Sequence, residues 1–307
     1  MMFKRITLFI LINILVVLTV SCVLSFFHVQ PYLKAYGLDY KSLMIFCLVW
    51  GMTGALISLM LSRVMAKWMM GIQLIDANSY SMEQRQLYAV VERLAQRANL
   101  PVTPQVGIFN SAIPNAFATG PTKRRSLVAV STSLLQTMST SELEAIIGHE
   151  ITHISNGDMV TMTLLQGVIN AFVMFLSRVL AFALSGLGKN QKQNSSSGSY
   201  ASYYIFTFVF EIIFMILGSI VIAAYSRKRE FRADHGGARL SSRASMISAL
   251  QTLQHQVTHT KEQPAQVAAL QAFMIHSTKK SSILQLFATH PPLEKRIERL
   301  SQDYDLT

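Results

Sequence analysis

The chain has 307 residues, a formal net charge of +11, 51% hydrophobic residues and only 14% charged ones. So low a charged fraction excludes an ordinary soluble domain and points to membrane spans. With no basic run interleaved with aromatic residues, the positive balance suits the cytoplasmic face of an anionic bilayer better than nucleic acid.

The first apolar run, Ile6 to Phe27, follows Lys4 and Arg5. Its apolar core is longer than that of a signal peptide and no small-x-small cleavage site follows, so it reads as an uncleaved first span. A connector with Pro31, Lys34 and Gly37 leads to a second run, from about Leu43 to Leu61, which ends at Arg63 and Lys67. Gly51 and Gly54 within it suit close helix contact. A short outer loop between the two spans would leave Lys4, Arg5, Arg63 and Lys67 on the inner side. Cys22 and Cys47 lie inside these runs, without the spacing of a zinc ribbon or redox pair, and read as small buried hydrophobes.

Residues 70 to 158 form the polar part. Met82 to Asn99 is an amphipathic helix carrying Leu87, Val90, Val91, Leu94 and Ala98 on one stripe, closed by Pro101 and Pro104. Three β-type segments follow: Val106 to Asn110, Ala116 to Thr119 and Leu127 to Ser131, the last two separated by a turn from Gly120 to Arg125. Next comes a helix with a capping-box signal at Ser141 and Glu144 and an apolar stripe of Leu143, Ile146, Ile147, Ile151 and Ile154.

That helix carries His149-Glu150-Ile151-Thr152-His153. Histidines four apart share a helix face, about 6 Å apart along the axis, and can grip one ion. Zinc held by two imidazoles keeps room for a third protein ligand and a water. Glu150, beside the metal and not on it, is placed to take a proton from that water as general base. Strands leading into such a helix suggest an edge strand beside the metal, to which a substrate peptide could add by main-chain hydrogen bonds.

A third run, about Met159 to Leu187, contains Gln166, Asn170 and Arg178; a linker rich in Gly, Ser and Asn spans Gly186 to Ser199; a fourth run, 203 to 225, is interrupted by Glu211. The polar residues are costly in lipid and are expected to face other helices, or the two runs partly line a chamber instead of spanning simply. Arg227, Lys228, Arg229 and Arg232 mark an inner end. Beyond them Ala244 to Gln256, Ala265 to Ile275 and Leu293 to Leu300 read as helices.

The absence of His-x-x-Gly-x-x-His after the motif excludes the metzincin arrangement. Glu230 is the best candidate for the third ligand. Asp234, four residues on, shares its helix face, so that one carboxylate binds zinc while the other orients a ligand histidine through its free N–H. Two rival readings are a membrane scaffold with a structural zinc and a transporter built around Asn170, Arg178 and Glu211. The first does not use the open zinc position or Glu150, and the second needs no His-Glu-x-x-His.

Asn115-Ala116-Phe117-Ala118-Thr119-Gly120, His149-Glu150-Ile151-Thr152-His153, Asn156-Gly157-Asp158-Met159, Arg229-Glu230-Phe231-Arg232-Ala233-Asp234 and Thr289-His290-Pro291-Pro292 occur in that order. In these blocks the chain resembles the HtpX-type bacterial membrane zinc metalloproteases, relatives of the CAAX prenyl proteases, over nearly its whole length. The resemblance implies a mainly α, multi-span helical membrane protein with a zincin-like α+β metalloprotease domain carrying a small β-sheet. It divides the chain into two N-terminal transmembrane helices (1–68), a cytoplasmic catalytic part with the sheet and the His-Glu-x-x-His helix (69–158), third and fourth hydrophobic helices with a flexible loop (159–226), and a cytoplasmic helical part with the third ligand (227–307). It further implies a zinc endopeptidase of the inner membrane, its site facing the cytoplasm, that cuts misfolded or damaged membrane proteins and unfolded polypeptides. His149, His153 and Glu230 would bind one zinc ion, Glu150 would be the catalytic base, Asp234 would support a ligand, and Asn115 and His290 would bind substrate or steady the oxyanion.

Overall fold

The computed structural model describes residues 39–187, 196–259 and 285–302. The first apolar run and the Ala265 to Ile275 segment lie outside them. The described residues form two units: one of residues up to Ile57 with Thr163–Val221, the other of Ser58–Met162 with residues from Ile222 on.

Three helices among the described residues are long and apolar enough to cross a membrane: α1 (Tyr40–Met70), α5 (Asp158–Leu187) and α6 (Ser196–Leu240). In the first unit Tyr40, Cys47, Phe175 and Val179 form a small core. A Cβ at Gly51 would stand 2.8 Å from the Ala171 backbone nitrogen, so glycine there does permit close helix contact. Gly54 does not serve this purpose, because it faces open space. The polar residues satisfy one another: Arg178 Nη1 donates to Glu211 Oε1 at 2.9 Å and Gln166 to Asn170 Oδ1 at 2.8 Å. Such pairing is how ionisable groups are tolerated at membrane depth.

The second unit is built on β1 (Gln73–Ile75), α2 (Met82–Arg97), β2 (Gln105–Phe109), β3 (Ala116–Thr122), β4 (Arg125–Ser131), α3 (Thr132–Thr137), α4 (Thr140–Asn156), the C-terminal part of α6, α7 (Arg243–His259) and α8 (Leu293–Gln302). The sheet order is β1-β2-β4-β3; β2 and β4 are parallel and the outer pairs antiparallel. β4 is central and covered on both faces, which explains its unbroken Leu127-Val128-Ala129-Val130 run. β3 is an edge strand, where Pro121, having no N–H, is tolerated. It runs past the expected turn at Gly120, with a register shift between Thr119 and Thr122, and the chain reverses at Lys123 and Arg124.

Leu87, Val91 and Leu94 of α2, Ala145, Ile147, Ile151 and Ile154 of α4, and Met246 and Leu250 of α7 form one core with the sheet. α4 begins two residues earlier than the Ser141/Glu144 signal suggests. Ser139 is the N-cap, its hydroxyl accepting from the Glu142 N–H while Glu142 accepts from the Ser139 N–H. Two overlapping Ser-x-x-Glu patterns compete here. The earlier one wins because Glu142 is also gripped from α7 by Ser248 and Thr252, whereas Glu144 faces outward to Arg93. The fourth run does not stop at its basic cluster. α6 continues through Arg227–Arg232 to Leu240 as one helix of 45 residues, which carries Glu230 and Asp234 rigidly.

Candidate metal centre

His149 and His153 stand one turn apart on α4, with their Nε2 atoms 3.1 Å from each other. Glu230 of α6 meets both: Oε2 lies 3.4 Å from His149 Nε2 and Oε1 lies 3.4 Å from His153 Nε2. Glu230 is fully buried. α6 comes this close because of glycine. A Cβ on Gly237 would meet the His149 nitrogen at 3.0 Å and the Ala145 oxygen at 3.1 Å, and Gly148 faces Gly237 across the same contact.

The three groups suit a metal ion. A tetrahedral ion with bonds of about 2.0–2.1 Å has edges of about 3.3 Å, close to the 3.1 Å between the two Nε2 atoms, and each Nε2 faces a different oxygen of the Glu230 carboxylate. The outer face of each ring fixes which nitrogen is free. His153 Nδ1 bonds Asp158 Oδ2 at 2.7 Å, and His149 Nδ1 lies 2.9 Å from Asp234 Oδ1. With both Nδ1–H groups turned to carboxylates, both Nε2 lone pairs point inward, an arrangement that repels unless a cation sits between them. Burial disfavours an imidazolium at His149, yet Asp234 and Glu230 hold its pKa up at about 9; Asp158 and Glu230 likewise raise His153 against burial. Burial pushes the Glu230 carboxyl up, and the three histidines around it more than offset this, keeping it ionised. The pocket is thus an anionic cage that favours positive charge between the two imidazoles; a divalent ion in place of the protons would meet two imidazole donors and a carboxylate, the donor chemistry of zinc and of similar borderline ions.

The supporting residues come from separate elements. Gly157, at φ +65°, ends α4 in the left-handed conformation, and α5 restarts at once with Asp158. Asp234 is held by the buried Arg296 of α8, whose Nε donates to Oδ2 at 2.8 Å while Nη2 donates to Oδ1. Arg227 Nη1 donates to the Leu286 and Ala288 carbonyls, pinning the loop that delivers His290. His290 Nδ1 lies 2.8 Å from Glu230 Oε2, at ion-pair distance but not aligned as a hydrogen bond. Arg229 Nη2 donates to Glu230 Oε1 at 3.1 Å.

A cavity of about 420 Å³ opens beside this cluster. Glu150, Asn115 and His290 line it with the edge strand Ala116–Thr119. The Asn115 backbone is fixed by Ser131, exchanging bonds of 2.9 Å with its hydroxyl and its N–H.

Every site residue expected from the sequence therefore lies at one place. The sequence reading gave no role to Asp158, Arg296 or Gly236-Gly237. Their signals are legible afterwards: an Asp directly after a helix-ending Gly, an Arg in the Leu293/Leu300 stripe of α8, and a Gly pair about two turns beyond Glu230.

The model of peptidase family M48 matches residues 81–303. Proteins described as protease HtpX homologs are similar throughout: one from Bacillus velezensis is 47% identical, covering 97% of this chain and 99% of its own. One from Verminephrobacter eiseniae is 48% identical, covering 97% and 98%. The crystal structure of S. mikatae Ste24p shares the fold, with a TM-score of 0.60 at 16% identity, covering 96% of this chain and 67% of that one. The chain belongs to peptidase family M48 and is a membrane metalloprotease of the HtpX type.

Proposed function

We propose that the chain is a zinc-dependent endopeptidase acting on misfolded or damaged membrane proteins and on unfolded polypeptides, as a quality-control enzyme of a bacterial inner membrane with its site facing the cytoplasm. The observation that carries the catalytic part is the His149–His153–Glu230 cluster opening onto a cavity also lined by β3, the edge strand of the sheet among the described residues.

His149, His153 and Glu230 would hold the ion, which when bound supplies Lewis-acid polarisation of the scissile carbonyl and acidifies water. Glu150, next to the ligands on α4 but outside the donor triangle, accepts the proton of the attacking water and returns it to the leaving amine. β3, the edge strand among the described residues, would give an extended peptide a strand to pair with, which would set its direction across the site. Asn115 and His290, which line the cavity, would donate to the developing oxyanion. Asp234 and Asp158 keep both imidazoles in the tautomer that presents Nε2.

The test is Glu150→Gln, purified with its metal content measured. Retained metal with cleavage of an unfolded polypeptide lowered about 10²–10⁴-fold supports the base assignment; cleavage at the parent rate removes it. Loss of bound zinc in Glu230→Ala, with the chain still folded, supports the third ligand, and unchanged zinc removes Glu230 from the set.

A further inference from the structure

The end of α1 has two unlike faces. Ala66 and Met70, one turn apart, line the catalytic cavity. At 3.6 residues per turn, Leu61, Val64, Met65 and Trp68 lie about 180° round the helix from them. These four are exposed, Trp68 at 79%, and Met69 beside them at 71%. Ser62, Arg63 and Lys67 occupy the half-buried side with Ala66 and Met70. Scattered exposed apolar residues are ordinary, but a one-sided row ending in a nearly bare tryptophan is not.

The row continues the exposed apolar surface, with Ile45, Phe46, Val49, Ile57 and Met60, of a helix apolar enough to span a membrane. Leu43 to Met69 measures about 40 Å, while the hydrocarbon layer is about 30 Å thick, so the last turns lie beyond it or at its edge. Trp is enriched at that level.

We infer that the last two turns of α1 are at once a wall of the catalytic cavity and an anchor in the interfacial layer of the bilayer. A helix with its side chains is about 10 Å across, so the cavity lies roughly one helix width from lipid. Peptide reaching the site is then taken from segments at the membrane surface. This last step rests on the proposed protease reading; the anchoring itself does not.

The test uses the full chain with Trp50→Phe, which leaves Trp68 as the sole tryptophan. In lipid nanodiscs, Trp68 should lose most of its emission to lipids brominated near the glycerol end of the acyl chain. Bromine near the methyl end should quench less, and aqueous iodide should remove little. Quenching by iodide as for free tryptophan, with no response to brominated lipid, would overturn the inference. In a second chain, carrying Trp50→Phe, Trp68→Phe and Met70→Trp, the new indole faces the cavity and should be spared by brominated lipid. Quenching there equal to that of Trp68 would also overturn it. Both readings can be made on the Glu150→Gln protein, so a failure of the protease reading appears only in the cleavage assay and a failure of the anchor only in fluorescence.

Discussion

Asp158 Oδ2 lies 2.7 Å from His153 Nδ1, both groups buried, although Asp158 belongs to the helix after the one that carries the histidine. The contact depends on Gly157, whose left-handed backbone lets α5 begin within a residue of the end of α4. Asp158→Asn keeps the shape but removes the charge that fixes the tautomer. Metal affinity should fall about 10–100-fold, with little change in thermal stability of the metal-free protein. Competition against a chromophoric chelator measures this, and an affinity equal to that of the parent would show that Asp158 does not tune the ligand.

Asp234 is fixed from the other side by Arg296, itself 2% exposed. Arg296→Ala leaves an uncompensated carboxylate in the interior, a change that costs on the order of 3–5 kcal/mol. The double variant Arg296→Met with Asp234→Asn removes both charges and should recover most of that stability without recovering metal affinity, because His149 then lacks its carboxylate partner. Unfolding midpoints together with metal content separate the two effects. If the double variant is as unstable as Arg296→Ala, the loss comes from packing and not from the stranded charge.

Local rules made much of this legible. The second, third and fourth apolar runs, the helical stripe under His149 and His153 and the β-type segments need only periodicity, and the fold follows them closely. Glu230 and Asp234 were readable because two carboxylates four apart on a helix suit a ligand and its support. What the chain order hides is long-range. Nothing near Arg296 says that its partner is 62 residues earlier, and Asp158 reads as a helix-start acid until the bend at Gly157 turns it toward His153. The start of α4 was misplaced for the same reason: of two Ser-x-x-Glu patterns, only contacts from α7 decide between them.

Gly237 sets the spacing on which the ligand triangle depends. A methyl group there meets backbone atoms of Ala145 and His149, which cannot swing away as a side-chain tip would. Gly237→Ala should destabilise the protein by about 1–3 kcal/mol through overpacking and lower metal affinity by moving Glu230 off the histidines. Gly54→Ala is the control. It adds a methyl in open space on a helix and should be neutral or stabilising by about 0.5–1 kcal/mol. Equal effects of the two would mean that the α4–α6 contact is not what glycine serves at 237.

The N-terminus of α4 gives a pH signature separate from the metal. Burial alone would raise the Glu142 carboxyl. Hydrogen bonds from Ser248, from the Ser139 backbone and from Thr252 outweigh it and hold the pKa down at about 2, against an ordinary value of 4.5. A carboxylate with a depressed folded-state pKa stabilises fully above its unfolded value, and that contribution is lost as pH falls through the folded one. The full difference corresponds to on the order of 3 kcal/mol. Glu142→Gln cannot titrate, so the stability gap between parent and variant should be widest above pH 4.5 and close between pH 4.5 and 2. The metal site also loses its ligands to protons in acid, but it does so in both proteins and cancels in the difference. A gap that stays constant across that window would mean that the grip of α7 on Glu142 does not depend on its charge.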